Sequence, residues 1–379
     1  MDRTIRIPLK PTPQQAQALR ETTRQFTESF NRVCAQGWKR QQGNAFNLHR
    51  FTYRDCKNAL PALVSDLHVQ ARQKAAEAVK AALTRAKQGK KTGCPHSDLC
   101  PPRYNVHTFK LDWQKGIVSL STTSGRVTIP FTLPAYAARF TGAKVCTADL
   151  VYRKGRFTLH VVLELPDVPF VPNGTVLGVD LGVTRPAATS DGRMHGRKHW
   201  REVEKRALRL RRKLQSKGTK SAKRHLRFLA GRTARFRRDC DHVLSRSILS
   251  GVEPGTILVV ENLTNIRTRV KARRGEAKRR LHAWSFAQLR SFLCYKAEAL
   301  GCQLVGVDPR HTSQRCNACG YICRGNRPSQ SRFICRSCGH RRNADRNAAE
   351  NLRDKHLVGW SSPSGGPSST GLPSRQLLA

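Results

Sequence analysis

Hydrophobic and polar residues alternate along RTIRIPLK (3–10), the two-residue period of a strand with one buried face. The period then lengthens. In PTPQQAQALRETTRQFTESFNRVCAQGW (11–38), Leu19, Phe26, Phe30 and Val33 fall near one helical face. Thr12 is placed as the N-cap, Pro13 as the first helical residue, and Gln15 completes a capping box. LHVQARQKAAEAVKAALTRAKQ (67–88) reads as a second helix, and the Gly-, Pro- and Lys-rich segment 87–103 as a loop. From about 105 to 165 short strands follow: HTFKLDW, GIVSLS, RVTIPF and AKVCTADLVYRKGRFTLHVVLELP. DLVYRKGRFTLHVVL is a hairpin signal turning at Lys154-Gly155. The simplest arrangement is a β-rich domain with a helical insertion, closed by the boundary segment PDVPFVPNG (166–174).

A second domain opens with VLGVDLGV (176–183). Leu177, Val179, Leu181 and Val183 point toward a core, while Gly178, Asp180 and Gly182 point the other way. Asp180 therefore stands mid-strand between glycines, on a face left open to something that must approach closely. ATSDGRMH (188–195) supplies a turn at Asp191-Gly192 and with it an antiparallel neighbour. Val203, Ala207, Leu210 and Leu214 mark one basic helix; after Gly231, Phe236, Cys240, Val243 and Leu244 mark another. Their apolar seams are expected to pack together. GTILVVENL (255–263) is a strand ending at Glu261, 267–281 a basic mobile loop, WSFAQLRSFLCYKAEALG a helix stopped by Gly301, and CQLVGVDP a further strand. The Ser/Gly/Pro-rich tail from Ser361 has the composition of a disordered segment.

Charge changes the picture. The 379 residues carry 70 Lys and Arg against 25 Asp and Glu, a formal net charge of +45. That imbalance adds self-repulsion to a folded chain and points to a polyanionic partner whose counterions are released on binding. Residues 197–238 alone hold 18 Lys or Arg against two Glu, so the outer faces of the two basic helices are expected to meet phosphate. No long apolar run suggests a membrane, and no pattern suggests a small-molecule substrate. MDRTIRIPLK has no secretory character, so a cytoplasmic location and reduced thiols are expected.

Four of the 13 cysteines form Cys316-x-x-Cys319 and Cys335-x-x-Cys338, each pair followed by glycine (Gly320, Gly339). That spacing fits one tetrahedral, structural Zn²⁺ with no open position. Cys323 is a spare thiol. Cys94, His96 and Cys100 in GCPHSDLC match no common metal site.

Carboxylates are scarce, which makes three of them informative. Asp180 lies between glycines, Glu261 ends the apolar strand TILVV, and Asp345 shares a helical face with Ala348, Ala349 and Leu352 in RRNADRNAAENLRD. The alanines would let that helix sit close to a sheet. Burying three ionised carboxylates together is costly by desolvation and repulsion. Mg²⁺ removes the objection, and two such ions can activate water and stabilise a leaving oxygen in phosphodiester cleavage. The set points to a metal-dependent nuclease.

With these residues in hand, the chain resembles the TnpB proteins of bacterial insertion sequences, which are related to compact type V CRISPR effector nucleases. The matching segments are LKPTPQQAQAL, GVDLGVTRPAATSDG, VVENL, WSFAQLRSFLCYKAEALG, HTSQRCNACG and RFICRSCGHRRNADRNAAENL, in family order. The resemblance implies an α/β multidomain protein. A RuvC/RNase H-like nuclease domain would span 169–310 and 341–358, with the basic hairpin at 197–250 and a zinc ribbon at 311–340. An N-terminal β-barrel (wedge) domain would span 1–10 and 100–168, with a helical recognition insert at 11–99 and a tail at 359–379. Asp180, Glu261 and Asp345 then correspond to the catalytic triad, with Asp180 and Asp345 as principal Mg²⁺ ligands and Glu261 as a shared or orienting carboxylate. The implied activity is cleavage of double-stranded DNA directed by a guide RNA from the transposon end, next to a short flanking motif read by protein. Many relatives carry a further acid two residues before the last triad Asp; Asn343 stands there. The rival readings are a nuclease-inactive RNA-guided repressor, a guide-independent nuclease or transposase accessory, and a structural zinc-ribbon scaffold.

Overall fold

The computed structural model describes residues 1–182, 185–264, 275 and 285–359. Val183, the basic loop expected at 267–281 apart from Gly275, and the tail from Ser361 lie outside the described residues. The chain divides into two compact units, Met1–Pro166 and Asp167–Ala379.

In the first unit, β1 (Asp2–Pro8), β7 (Arg156–Glu164), β6 (Lys144–Arg153) and β2 (Arg103–Tyr104) form an antiparallel sheet in the order β1-β7-β6-β2. β3 (Phe109–Asp112), β4 (Ile117–Thr122) and β5 (Gly125–Pro130) form a second. The β6–β7 turn sits at Lys154 and Gly155, with φ of 53° and 75°, the left-handed pair a two-residue hairpin requires. Three helices fall between β1 and β2: α1 (Pro13–Lys39), α2 (Ala45–Ala59) and α3 (Ser65–Lys87). The Thr12 hydroxyl accepts from Gln15 N and the Gln15 side chain accepts from Thr12 N, so the capping box forms as its residues require. α2 was not foreseen in the sequence; Asn44 caps it by accepting from Phe46 N and Asn47 N. Ile5 and Ile7 of β1, Leu19 and Phe26 of α1, and Leu159 and Val161 of β7 share one core.

The second unit is built on a mixed sheet in the order β10-β9-β8-β11-β12. β8 (Val176–Leu181), β11 (Ile257–Glu261) and β12 (Gln303–Val307) run parallel; β9 (Ala187–Thr189) and β10 (Met194–His195) turn back antiparallel. The two-residue period assigns the faces. Leu177, Val179 and Leu181 join Leu258 and Val260 in a core with α5 (Lys220–Leu249) and α6 (Phe286–Glu298), through Leu244, Ile248, Leu289 and Leu293. Each fully buried Leu or Val contributes about 1.5–3 kcal/mol. That face anchors the sheet and leaves the opposite one, bearing Gly178 and Asp180, to α7 (Ala344–Val358).

Two expectations need correction. The basic hairpin breaks at Gly218 and not at Gly231: α4 (Lys198–Lys217) ends where Gly218 takes φ 65°, and Thr219 caps α5, which runs through Gly231 without a break. A glycine inside a helix costs only about 1 kcal/mol, whereas Gly218-Thr219 supplies both a left-handed stop and a cap. Leu214, Ala222 and Leu229 form the buried seam of the hairpin, and Leu210 is exposed. Asp180, expected mid-strand, is the penultimate residue of β8. Among the described residues no helix is long and apolar enough to cross a membrane.

Candidate active site and metal centre

β8 and β11 are in parallel register through Val260↔Val179, so the next position sets Glu261 beside Asp180 at the carboxyl ends of neighbouring strands. In open α/β sheets that is where ligands bind. The third acid arrives on α7, which lies across β8. Asn343 caps that helix by accepting from Asp345 N at 3.0 Å and Arg346 N at 3.2 Å. The residue that departs from the family pattern thus fixes the turn carrying Asp345.

Gly178 explains how the helix comes so near. A Cβ at this position would lie 1.9 Å from Ala349 O and 2.8 Å from Arg353 N. Ala348, Ala349 and Leu352 are buried, as the small-residue face predicted. The open face of β8 is open to its own chain's helix.

The charges of Glu261 and Asp345 both bear on Asp180. Burial pushes the Asp180 carboxyl well above its ordinary value, and the charges of Glu261 and Asp345 push it further; the Arg327 charge opposes them. Burial also raises Glu261, against hydrogen bonding from Thr312 and the charges of Arg327 and Lys355. Asp345 is buried; its Oδ1 accepts from Arg327 Nη2 at 3.0 Å, and its Oδ2 lies 3.8 Å from Arg185 Nε. Thr312 Oγ1 donates to Glu261 Oε1 at 2.7 Å. Sequence reasoning missed Thr312 and Arg327 as site residues, although Thr312 lies in the matching segment HTSQRCNACG: their partners lie 51 and 18 positions away, and no local period links them.

The four cysteines lie between β12 and α7. Among the described residues they are the group of potential ligands whose donor atoms all fall within 4.8 Å of one another. Sγ–Sγ separations are 3.8 Å for Cys316–Cys338 and 3.6 Å for Cys319–Cys335. Four sulfurs at about 2.3 Å from a tetrahedral zinc would stand about 3.8 Å apart. Gly320 and Gly339 have φ of 76° and 71° and close each knuckle by donating to Cys316 O and Cys335 O. Burial pushes the Cys316 thiol up to about 12. For Cys335, burial is outweighed by hydrogen bonds from the Cys338 and Ser337 backbone and from Cys319, which bring it down to about 7. The arrangement fits zinc. The GCPHSDLC residues do not assemble: Cys100 is buried with its N–H on Thr27 Oγ1, while Cys94 and His96 are exposed.

A mixed sheet with two acids at the ends of its parallel strands, a third on a helix laid over them, and a four-cysteine cluster just before that helix define an α/β protein. The sequence family described as Cas12f1-like, TNB domain matches residues 286–352. The CRISPR-associated endodeoxyribonuclease Cas12f1 of Sulfoacidibacillus thermotolerans is 40% identical over 126 residues, 33% of this chain and 28% of that one. The putative RNA-guided DNA endonuclease InsQ of Escherichia coli K12 is 30% identical over 202 residues, 48% of this chain and 50% of that one. A TnpB-like protein of Methanocaldococcus jannaschii is 33% identical over 110 residues, 29% of this chain and 39% of that one. Over part of its length the chain is thus similar to TnpB-like and Cas12f1 proteins. It spans half or less of the length of these curated relatives. Among solved structures, a Cas12f1–sgRNA–target DNA complex shares the fold with TM-score 0.62 at 15% identity, over 90% of this chain and 83% of that one. Alicyclobacillus acidoterrestris C2c1 with single-guide RNA follows at 0.51 and 11%, over 92% and 67%.

Proposed function

We propose that the protein is an RNA-guided DNA endonuclease of a transposable element, cleaving phosphodiester bonds at Asp180, Glu261 and Asp345. The observation that carries this reading is the desolvation of Asp180 and Glu261, with the charges of Glu261 and Asp345 both bearing on Asp180, in a +45 chain. Hard oxygen donors brought to neighbouring strand ends suit Mg²⁺, whose charge would offset their repulsion without protonating them. Bound there, a pair of such ions supplies an activated water and stabilisation of the departing oxygen.

Asp180 and Asp345 act as the principal ligands and Glu261 as the shared or orienting one. Arg327 and Arg185 hold positive charge on Asp345 and would lie where a phosphate must approach. Zn²⁺ on Cys316, Cys319, Cys335 and Cys338 is structural: it fixes the segment that carries Arg327 and leads into α7. Residues 1–10 and 100–168 serve as the wedge and 11–99 as the recognition insert. The exposed basic faces of α4 and α5 take the guide RNA or its duplex with target DNA.

The test is plasmid cleavage by the purified protein with its co-purified RNA sequenced. Cutting at sites complementary to that RNA is expected in Mg²⁺ and is lost in EDTA or in Asp180→Ala, with RNA binding retained. Equal cutting after the RNA is digested away would replace this reading with a guide-independent nuclease.

A further inference from the structure

Thr312 is 1% exposed and belongs to neither the sheet nor the cysteine knuckles, yet it touches both acid-bearing elements. Its hydroxyl lies 2.7 Å from Glu261 Oε1 and 3.0 Å from Pro309 O. One hydroxyl has one proton to donate, and the ionised carboxylate, closer and charged, is the stronger acceptor. Its carbonyl accepts from Asn351 Nδ2 at 2.8 Å, and Asn351 is fully buried in α7, the helix that carries Asp345. Asn351 and Asn347 both donate on to Arg315 O, next to Cys316.

The backbone is bent to put Thr312 there. His311 has φ 62°, a left-handed conformation that costs a side chain larger than glycine roughly 1–2 kcal/mol. Gln314 N and Arg315 N both donate to His311 O, so the strained turn is held from its far side. Strain kept at the residue just before Thr312, beside an acidic site, points to a position set for function.

From this we infer that Thr312 is a positioning residue for cation binding. It fixes the Glu261 carboxylate by donating to Oε1, leaves Oε2 to the cation, and through Asn351 holds β11 and α7 at one spacing. The inference rests on the carboxylates being a cation site, as proposed above. Hydrogen-bond partners of metal-binding carboxylates commonly change metal affinity by about 10–100-fold when removed.

The test is Mn²⁺ titration of the RNA-free full-length protein, followed by electron paramagnetic resonance, for wild type, Asp180→Ala, Thr312→Val and Thr312→Ser. Site-specific Mn²⁺ is the part lost in Asp180→Ala. Thr312→Val keeps the volume and the carbonyl bond but loses the hydroxyl; its site-specific affinity is expected to fall about 10–100-fold, and Thr312→Ser to restore most of it. A purely structural role would not distinguish valine from serine in this way while circular dichroism and melting stay unchanged. If Thr312→Val does not fold, Thr312→Ala carries the same expectation. Wild-type affinity in the folded hydroxyl-free variant, or an equal loss in Thr312→Ser, overturns the role of Thr312 alone. Equal Mn²⁺ uptake by wild type and Asp180→Ala removes the cation site itself, and the role of Thr312 falls with it.

Discussion

Replacing Gly178 with alanine adds one methyl group where β8 meets α7. The new Cβ would stand 1.9 Å from Ala349 O, 2.8 Å from Arg353 N and 3.0 Å from Ala349 C, all backbone atoms that no rotamer change can move. Since Cβ contacts under 3.0 Å essentially never occur, the helix and strand must part by about 1.1 Å or more. β8 is hydrogen-bonded on both sides, to β9 and β11, so α7 is the element that yields. Asp345 sits in its first turn and moves with it, away from Asp180 and Glu261. Overpacking of this kind costs about 1–3 kcal/mol of stability, and a misplacement near 1 Å about 10²-fold in rate. Single-turnover cleavage by the RNA-bound protein should therefore fall about 100-fold, with a lowered melting temperature and unchanged RNA binding. Gly142→Ala, where an added Cβ meets nothing within 4 Å, is the control. Wild-type cleavage by Gly178→Ala would refute the claim that this close approach sets the carboxylate geometry.

Three further outcomes are expected. Burial and the charges of Glu261 and Asp345 raise the folded-state pKa of Asp180 above its unfolded value near 3.8, so between those two values the folded state holds the extra proton. Metal-free stability should therefore fall as pH rises through that window. Asp180→Asn should flatten the fall and raise the melting temperature at neutral pH; a melting curve against pH that matches wild type contradicts this. Cys335→Ser should release one equivalent of zinc, read by atomic absorption, and destabilise the segment between β12 and α7; wild-type protein without stoichiometric zinc would end the ribbon assignment. Neutralising the exposed Arg209, Arg212 and Lys213 of α4 to glutamine should reduce the slope of log K for RNA against log salt by about 2; an unchanged slope means that α4 does not meet phosphate.

The sequence revealed features written into short stretches of chain. The capping box at Thr12 and Gln15, the turn at Lys154-Gly155 and the knuckles at Cys316 and Cys335 each depend on residues a few positions apart, and each forms. The period-two pattern of 176–182 likewise told which face of β8 joins the apolar core with α5 and α6. It could not tell that the glycine face receives α7, more than 160 positions later; only the small residues at 348 and 349 hinted at it. The hairpin break went to the wrong glycine because composition alone does not distinguish Gly231, tolerated inside a helix, from Gly218, followed by a capping threonine. The roles of Thr312, inside the matching segment HTSQRCNACG, and of Arg327 were missed for a different reason. Neither alters a period, and each acquires meaning only when the turn at His311 or the ribbon loop brings it against an acid.

The most direct measurement is anomalous scattering from manganese in crystals of the protein with its guide RNA and an uncleavable target DNA. The account predicts manganese peaks in contact with the carboxylates of Asp180, Glu261 and Asp345. Manganese that supports cutting in solution yet leaves those three side chains without a peak would contradict it.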